Sequence, residues 1–271
     1  MRYNQQQERR INDLTTLIQE TKTYYSAQLM IAALNEAPGI GFTIAEMKDT
    51  LGEISVIVID GGSTDHTVAI AKNMGARVFF QDGFGKGDAL AKGIEQINSN
   101  VDYIILTDAD YTYPAEYVPD MIKILEDNPQ VGMVCGNRLN ENINRKSLRR
   151  VFRLGNKLLR FAHKILNGVS LEDPLTGLRV IRAEILREMN IESKGFDIEV
   201  ELNNFVKNKG FVAKEVLIDY RARLGEKKLK TRHGITILKR ILKDMFANRK
   251  FLWKVLYLVE RNFHAIFKTA N

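Results

Sequence analysis

Four polar clusters in this 271-residue chain have the residue types and spacing to do chemistry on phosphate: Asn35-Glu36, Asp60-Gly61-Gly62-Ser63, Gly85-Lys86-Gly87 and Asp108-Ala109-Asp110. The last is the sharpest. Two carboxylates one residue apart can both reach one hard cation, and Mg2+ or Mn2+ takes oxygen ligands that it shares with substrate phosphates. Such a metal neutralises the charge that grows on a diphosphate leaving group. The other use of Asp108 and Asp110 is a solvated acidic turn. The apolar strand before them and Pro114 after them, where a helix can start, favour the metal. Gly85-Lys86-Gly87 allows close backbone approach and sets a cation beside a phosphate or ribose; equally, it is a flexible surface loop. Asp60 can accept from a base or ribose, or cap its own turn.

These clusters need a frame that brings them to one edge. The runs 28–34, 54–59, 77–80, 103–107 and 131–134 read as strands, and helical patterns fall between them at 63–74, 88–98 and 115–126. Strand-helix alternation argues an α/β domain with a largely parallel sheet, and ligands of such sheets bind beyond the carboxyl ends of the strands. All four clusters sit at such ends. Ser63 is placed to cap the helix that runs to Met74. Past Arg138 the pattern changes: 139–147 reads as a polar loop, 148–166 as a basic amphipathic helix, 176–181 as a strand, 197–207 as a helix and 211–218 as a strand. Residues 5–28 read as a polar helix, and 234–268 as a helix with Ile237, Leu238, Ile241, Leu242, Met245 and Phe246 on one stripe.

Several chemistries lose support. The chain has neither the Lys-Ser/Thr pair of a P-loop nor a Gly-x-Gly-x-x-Gly fingerprint. His66, His163, His233 and His264 form no metal-ligand spacing, and Ser63 lacks the flanks of a nucleophile elbow. The single cysteine, Cys135, suits a reducing compartment. The polar start MRYNQQQERR is unlike a secretory signal, and no apolar run is long enough to cross a bilayer. The net charge of +7 gathers between Arg221 and Lys254, opposed there only by Glu226 and Asp244, so an anionic partner is expected.

From Gln28 to Lys230 the chain resembles family 2 glycosyltransferases, and among them the dolichyl-phosphate mannose synthase group that acts on polyprenyl phosphates. The segments that carry the resemblance are Leu34-Asn35-Glu36, VIVIDGGSTDHT at 56–67, Gly85-Lys86-Gly87, DADYTYPAE at 108–116, Cys135-Gly136-Asn137-Arg138, DPLTGLRV at 173–180, GFDIEVEL at 195–202 and YRARLGEKKLK at 220–230. The resemblance implies a GT-A fold: Rossmann-like, with a mostly parallel central sheet and flanking helices over residues 28–230. An N-terminal helical extension (1–27) and a basic amphipathic helical tail (231–271) complete the expected organisation. It implies that Asn35, Glu36 and Asp60 line a nucleotide pocket and that Lys86 lies near the donor's ribose or phosphates. Asp108 and Asp110 bind Mg2+ or Mn2+. Arg138, Arg223 and Lys228 stabilise phosphates, and Asp173 to Arg179 form an acceptor-side wall. The chain departs from the group at Gly61, where a second acid is common, at Thr112, where mannose synthases often carry Gln, and at Lys227, where Ser is usual.

The reaction so implied is a single inverting displacement at the anomeric carbon, moving a hexose from a GDP- or UDP-linked donor to a lipid phosphate. A lipid phosphate is already largely anionic and needs no strong base. Arg138, Arg149, Arg150 and Arg223 are candidates to grip it. If the acceptor is a soluble or glycan hydroxyl, a base is needed, and Asp173 is the first candidate. The 148–166 helix and the tail, with Phe251, Trp253 and Tyr257, would hold the protein peripherally on the cytoplasmic face of an anionic membrane. Two readings of other classes are a basic nucleic-acid-binding protein, which leaves the four clusters unexplained, and a non-catalytic nucleotide-sugar-binding partner, against which the intact Asp108 and Asp110 argue. No nucleic-acid partner is expected.

Overall fold

The computed structural model describes residues 25–139, 157–226, 228 and 233–247. Seven strands form one sheet: β1 (Ala27–Ala33), β2 (Ser55–Asp60), β3 (Arg77–Phe80), β4 (Tyr103–Asp108), β5 (Val131–Asn137), β6 (Arg179–Arg182) and β7 (Val212–Leu217), in the order β3-β2-β1-β4-β6-β5-β7. The pairs β1–β2, β1–β4, β2–β3 and β5–β7 are parallel. β6 runs antiparallel to both of its neighbours, β4 and β5. The expected strand at 176–181 thus begins three residues later and runs against its neighbours, because the chain re-enters the sheet beside the end of β5, where Arg179 pairs with Cys135.

Between the strands lie α1 (Ala37–Leu51), α2 (Thr67–Asn73), α3 (Lys86–Ile94) and α4 (Val118–Asp127), the last entered through a 3-10 turn at Ala115–Tyr117. A helical segment at 157–162 closes in a π turn, His163–Asn167. α5 (Ala183–Arg187), α6 (Ile198–Asn208) and α7 (His233–Ala247) follow. The alternation of β1 divides the core into two layers. Leu29 and Ile31 face Ile40, Ile44 and Met47 of α1, while Met30 faces Leu90 of α3 and Ile198 and Leu202 of α6. A third cluster joins Leu159, Val200, Ile237 and Ile241.

Three expectations change. Ser63 does not cap a helix; its hydroxyl donates to Asp60 Oδ2 at 2.6 Å, and α2 starts at Thr67, whose N–H is held by Asp65. The stripe read along 234–268 divides where it is described: Ile237 and Ile241 are buried, whereas Ile235, Leu238, Leu242 and Phe246 are exposed. The helix expected over 5–28 lies mostly outside the described residues, and its last two residues, Ala27 and Gln28, open β1 instead. The 1–24 segment, Arg149, Arg150 and everything from 248 onward are likewise outside them. Among the described residues no helix is long and apolar enough to cross a membrane.

Candidate active site

Parallel register delivers the clusters to one edge. Ala32 pairs with Asp108 and Ala33 with Asp60, so the last residues of β2 and β4 flank the end of β1, two residues before Asn35. Asn35 takes a left-handed φ of 49° there. Its Oδ1 accepts from the Thr64 N–H at 2.8 Å and its own N–H donates to Ser63 Oγ at 2.8 Å, tying the two loops together. Asp60 is fully buried. Its Oδ1 accepts from the N–H groups of Gly62 and Ser63, and its Oδ2 from the Ser63 hydroxyl, so the carboxylate braces its own turn.

Asp108 and Asp110 stand together but in different electrostatic settings. Lys86 Nζ donates to Asp108 Oδ1 at 2.7 Å and to Glu199 Oε1 at 2.8 Å. Burial disfavours the Asp108 carboxylate, but the charges of Lys86, Arg138 and Arg223 more than reverse this and hold its carboxyl below the usual range. Asp110 is pushed up by burial and by the Asp108 charge beside it. Thr112 fixes the Asp110 rotamer, its hydroxyl donating to Oδ1 at 2.6 Å. The wall opposite Asp108 is Gly177, where a Cβ would stand 2.5 Å from Asp108 Oδ2. The glycines around Lys86 serve packing. A Cβ on Gly87 would lie 1.9 Å from the Ser193 carbonyl, and the Gly87 N–H donates to Lys194 O. The loop is therefore pinned against 193–194, and Lys86 projects from a fixed base.

A strap from β7 toward α7 crosses the carboxylates. Leu224 N–H donates to Asp110 O and Arg221 N–H to Thr112 O. Arg223 Nη2 donates to Glu36 Oε1 at 2.6 Å while its Nη1 lies 3.4 Å from Asp110 Oδ2. Lys228 binds the same Glu36 oxygen and the Asn35 carbonyl. Arg221 pairs with Glu46 at 2.6 Å and stacks over Tyr111. Asn35, Glu36, Arg223, Lys228 and Asp110 are thus brought together across the length of the domain.

On the other side of Gly177, Arg138 grips Asp173 with two bonds, Nε to Oδ2 at 2.7 Å and Nη2 to Oδ1 at 2.8 Å. Asp173 is fully buried, and its N–H is held by Glu215. The Tyr113 hydroxyl joins the two halves: it accepts from the Gly177 N–H at 2.7 Å and from Arg138 Nη1 at 3.3 Å. Behind this loop the buried Arg179 donates to the carbonyls of Pro174 and Thr176 and to Asn203. Arg179, expected to form part of an acceptor-side wall, is buried and braces the 173–177 loop from within.

Glu199, Tyr113 and Glu46 were not among the residues singled out in the sequence. Glu199 lies inside the GFDIEVEL segment, but its partner Lys86 is 113 positions away, a pairing no spacing rule reaches. As a metal site, the arrangement offers two carboxylates at a strand end. Among the described residues no group of three His, Cys, Asp or Glu side chains is gathered. This donor set fits a hard cation that completes its shell with diphosphate oxygens and water.

Comparison with known proteins matches residues 29–189 to the family described as Glycosyl transferase family 2. A dolichyl-phosphate hexose transferase of Haloferax volcanii is 32% identical over 76% of this chain and 88% of its own length. Glycosyltransferase AglJ of the same organism is 33% identical over 64% of this chain, which spans only 56% of that protein. An undecaprenyl-phosphate mannosyltransferase of Micrococcus luteus is 27% identical over 74% and 86% of the two chains. Among solved structures, glucosyl-3-phosphoglycerate synthase of Mycobacterium tuberculosis, in complex with Mn2+, UDP and glucosyl-3-phosphoglycerate, superposes with a TM-score of 0.64 at 20% identity, over 81% of this chain and 79% of that one. The mostly parallel seven-stranded sheet with its flanking helices is the GT-A fold of these neighbours.

Proposed function

The chain belongs to glycosyl transferase family 2, and we propose that it moves a hexose from a GDP- or UDP-linked donor to a polyprenyl phosphate at the cytoplasmic face of a membrane, with inversion. The observation that carries the reading is the pairing of two sites across Gly177. Asp108 and Asp110 stand on one side, and a guanidinium locked by Asp173 stands on the other. The names of the relatives, which speak of dolichyl and undecaprenyl phosphate, supply the acceptor class.

The side chains then divide the work. Asp108 and Asp110 hold Mg2+ or Mn2+, which when bound takes up the charge of the departing diphosphate. Asn35, Glu36 and Asp60 shape the nucleotide pocket, and Lys86 adds a fixed positive charge beside Asp108. Arg223 sits on Glu36 and Asp110, and Lys228 on Glu36; both are cations available to the incoming phosphates. Arg138 orients the acceptor phosphate. That group has a second pKa of about 6 and is a ready nucleophile at neutral pH. Asp173 then needs no proton to take; with both oxygens on Arg138, it positions the guanidinium.

Two helical faces support attachment to a lipid surface. The segment at 157–167 exposes Leu158, Phe161 and Ile165, and α7 exposes Ile235, Leu238, Leu242 and Phe246. Lys157, Lys164, Lys239 and Lys243 are exposed on the same two elements, as contact with anionic headgroups requires.

The test is transfer of labelled hexose from GDP-mannose, GDP-glucose or UDP-glucose to undecaprenyl or dolichyl phosphate. We expect label in the organic phase, in an acid-labile product, with Mg2+ or Mn2+. Label that moves only into a water-soluble product would replace the lipid acceptor with a soluble one.

A further inference from the structure

We propose that the Lys86 ammonium has two seats, and that Glu199 is the positioning residue that supplies the second, drawing the ammonium off Asp108 when a divalent cation binds there. The inference rests on the donor-site reading above and adds to it how the site makes room for its metal.

Three observations carry it. Lys86 Nζ occupies Asp108 Oδ1 at 2.7 Å. Oδ1 is half of that carboxylate's ligating capacity, so an ammonium and a divalent cation contend for the same oxygen. Next, Lys86 is already shared: Glu199 Oε1, 2.8 Å away, gives it a second counter-charge that remains when Asp108 turns to the metal. A buried ammonium that kept no carboxylate would be costly, and this one never has to. Finally, the other Glu199 oxygen, Oε2, is buried and unpartnered. Unpaired buried acceptors are expensive, and an ammonium brings three donors. Turning from Asp108 onto both Glu199 oxygens, Lys86 would satisfy Oε2 and vacate Asp108 Oδ1. A cavity of about 30 Å³ that Lys86 and Glu199 both line leaves room for the movement.

The movement belongs to the side chain alone. The backbone of the Lys86 loop is fixed by the Gly87 contact with Ser193 and Lys194, while the four-carbon stem rotates freely enough to reach either seat. Glu199 sits in the first turn of α6, and its side chain is nearly buried, so the second seat is itself fixed.

The experiment measures Mn2+ binding by electron paramagnetic resonance on the full chain, with UDP and separately with GDP present. The proteins are wild type, Glu199→Asp, Glu199→Gln and Asp110→Ala, the first three also carrying Lys86→Met. Glu199→Asp keeps the charge on a shorter stem, so it stays informative if Glu199→Gln folds poorly. We expect Glu199→Gln to weaken Mn2+ binding about 10-fold, and Glu199→Asp by a smaller factor in the same direction. Both effects should vanish in the Lys86→Met background, because they act through the ammonium. Wild-type affinity in Glu199→Asp and Glu199→Gln, with binding lost in Asp110→Ala, overturns the two-seat proposal and leaves the donor site standing. So does an equal weakening with and without Lys86. Asp110→Ala that binds Mn2+ as tightly as wild type removes the donor-site reading and the proposal with it.

Discussion

Arg138 lies side-on against Asp173, 35 positions further along the chain, with two hydrogen bonds of 2.7 and 2.8 Å and a third from its own backbone N–H. The pair is buried, and a buried pair broken on one side leaves an uncompensated charge. Asp173→Asn should therefore lower unfolding stability by about 3 kcal/mol, read by urea denaturation. At concentrations where the variant is folded, it should raise the KM for acceptor more than the KM for donor. An unchanged acceptor KM would separate Arg138 from acceptor binding.

Removal of the second carboxylate tests the metal. Asp110→Ala should reduce turnover by about 100-fold or more, the scale of a lost leaving-group stabiliser, with an unchanged far-UV spectrum. Excess EDTA should do the same to the wild type, with recovery on addition of Mn2+. Activity that survives both treatments would end the metal-dependent reading.

Arg223 and Lys228 share Glu36 across 187 and 192 positions of chain. Each charge-assisted contact to a substrate phosphate contributes about 2 kcal/mol, so Arg223→Ala and Lys228→Ala should each slow kcat/KM by roughly 30-fold. Wild-type rates in both would take the strap out of the site.

His163 predicts a pH effect with a definite sign. Burial pushes its pKa down to about 4, and the Arg179 and Lys207 charges act the same way. Its folded pKa lies below its unfolded value, so its stabilising contribution is whole above about pH 6.5 and is lost as pH falls toward 4, about 3 kcal/mol in all. Glu215 opposes it. Burial and the Asp173 charge raise that carboxyl to about 7, which takes stability away as pH rises from about 4.5 to 7. The clean measurement is therefore the difference between wild type and His163→Gln at pH 5 and pH 7. The wild type should lose more on acidification, and equal losses would refute the assignment.

Membrane attachment is best tested without truncation, because Ile237 and Ile241 of α7 belong to a core cluster with Leu159 and Val200. Leu242→Glu and Phe246→Glu change exposed positions only. Together they should reduce co-sedimentation with anionic vesicles at least several-fold, on a scale of about 2 to 3 kcal/mol per large apolar side chain withdrawn from lipid, with little change in Tm. Undiminished vesicle binding would move the attachment elsewhere.

How much of this was legible in the sequence follows from the range of each signal. The four strand-end clusters were readable because each is local and its strand is an apolar run that ends in it. The direction of β6 was not: RVIR carries no mark of polarity, and only its pairing with Leu106 and Cys135 decides it. The stripe on α7 was readable as a stripe but not as two faces. Ile241 and Leu242 are adjacent on a helix, and which one turns inward depends on Leu159 and Val200, far away in the chain. Ser63 follows Asp60 closely enough to serve either the helix or the turn, and the buried carboxylate took it. Glu199 is the case no local rule covers, since its meaning comes from Lys86.

The reversal of β6 has a consequence for how such a protein can diversify. A parallel strand turns its exit toward the ligand edge; an antiparallel one turns its entrance there. The stretch between Asn137, at the end of β5, and Arg179, at the start of β6, therefore leaves the site and comes back to the same place, fastened at its neck by Arg138 and Asp173. Its return half is built into the core, Leu159 against Val200, Ile237 and Ile241, and Val169 and Leu171 in the layer of Met30, so residues are added cheaply only outside those contacts, where the closure cost grows with the logarithm of length. Asp60, Lys86 and Asp108 come from elements outside this stretch, which meets Asp108 at Gly177. On the proposed division of the site, acceptor preference can thus vary separately from donor chemistry, on a fixed clasp.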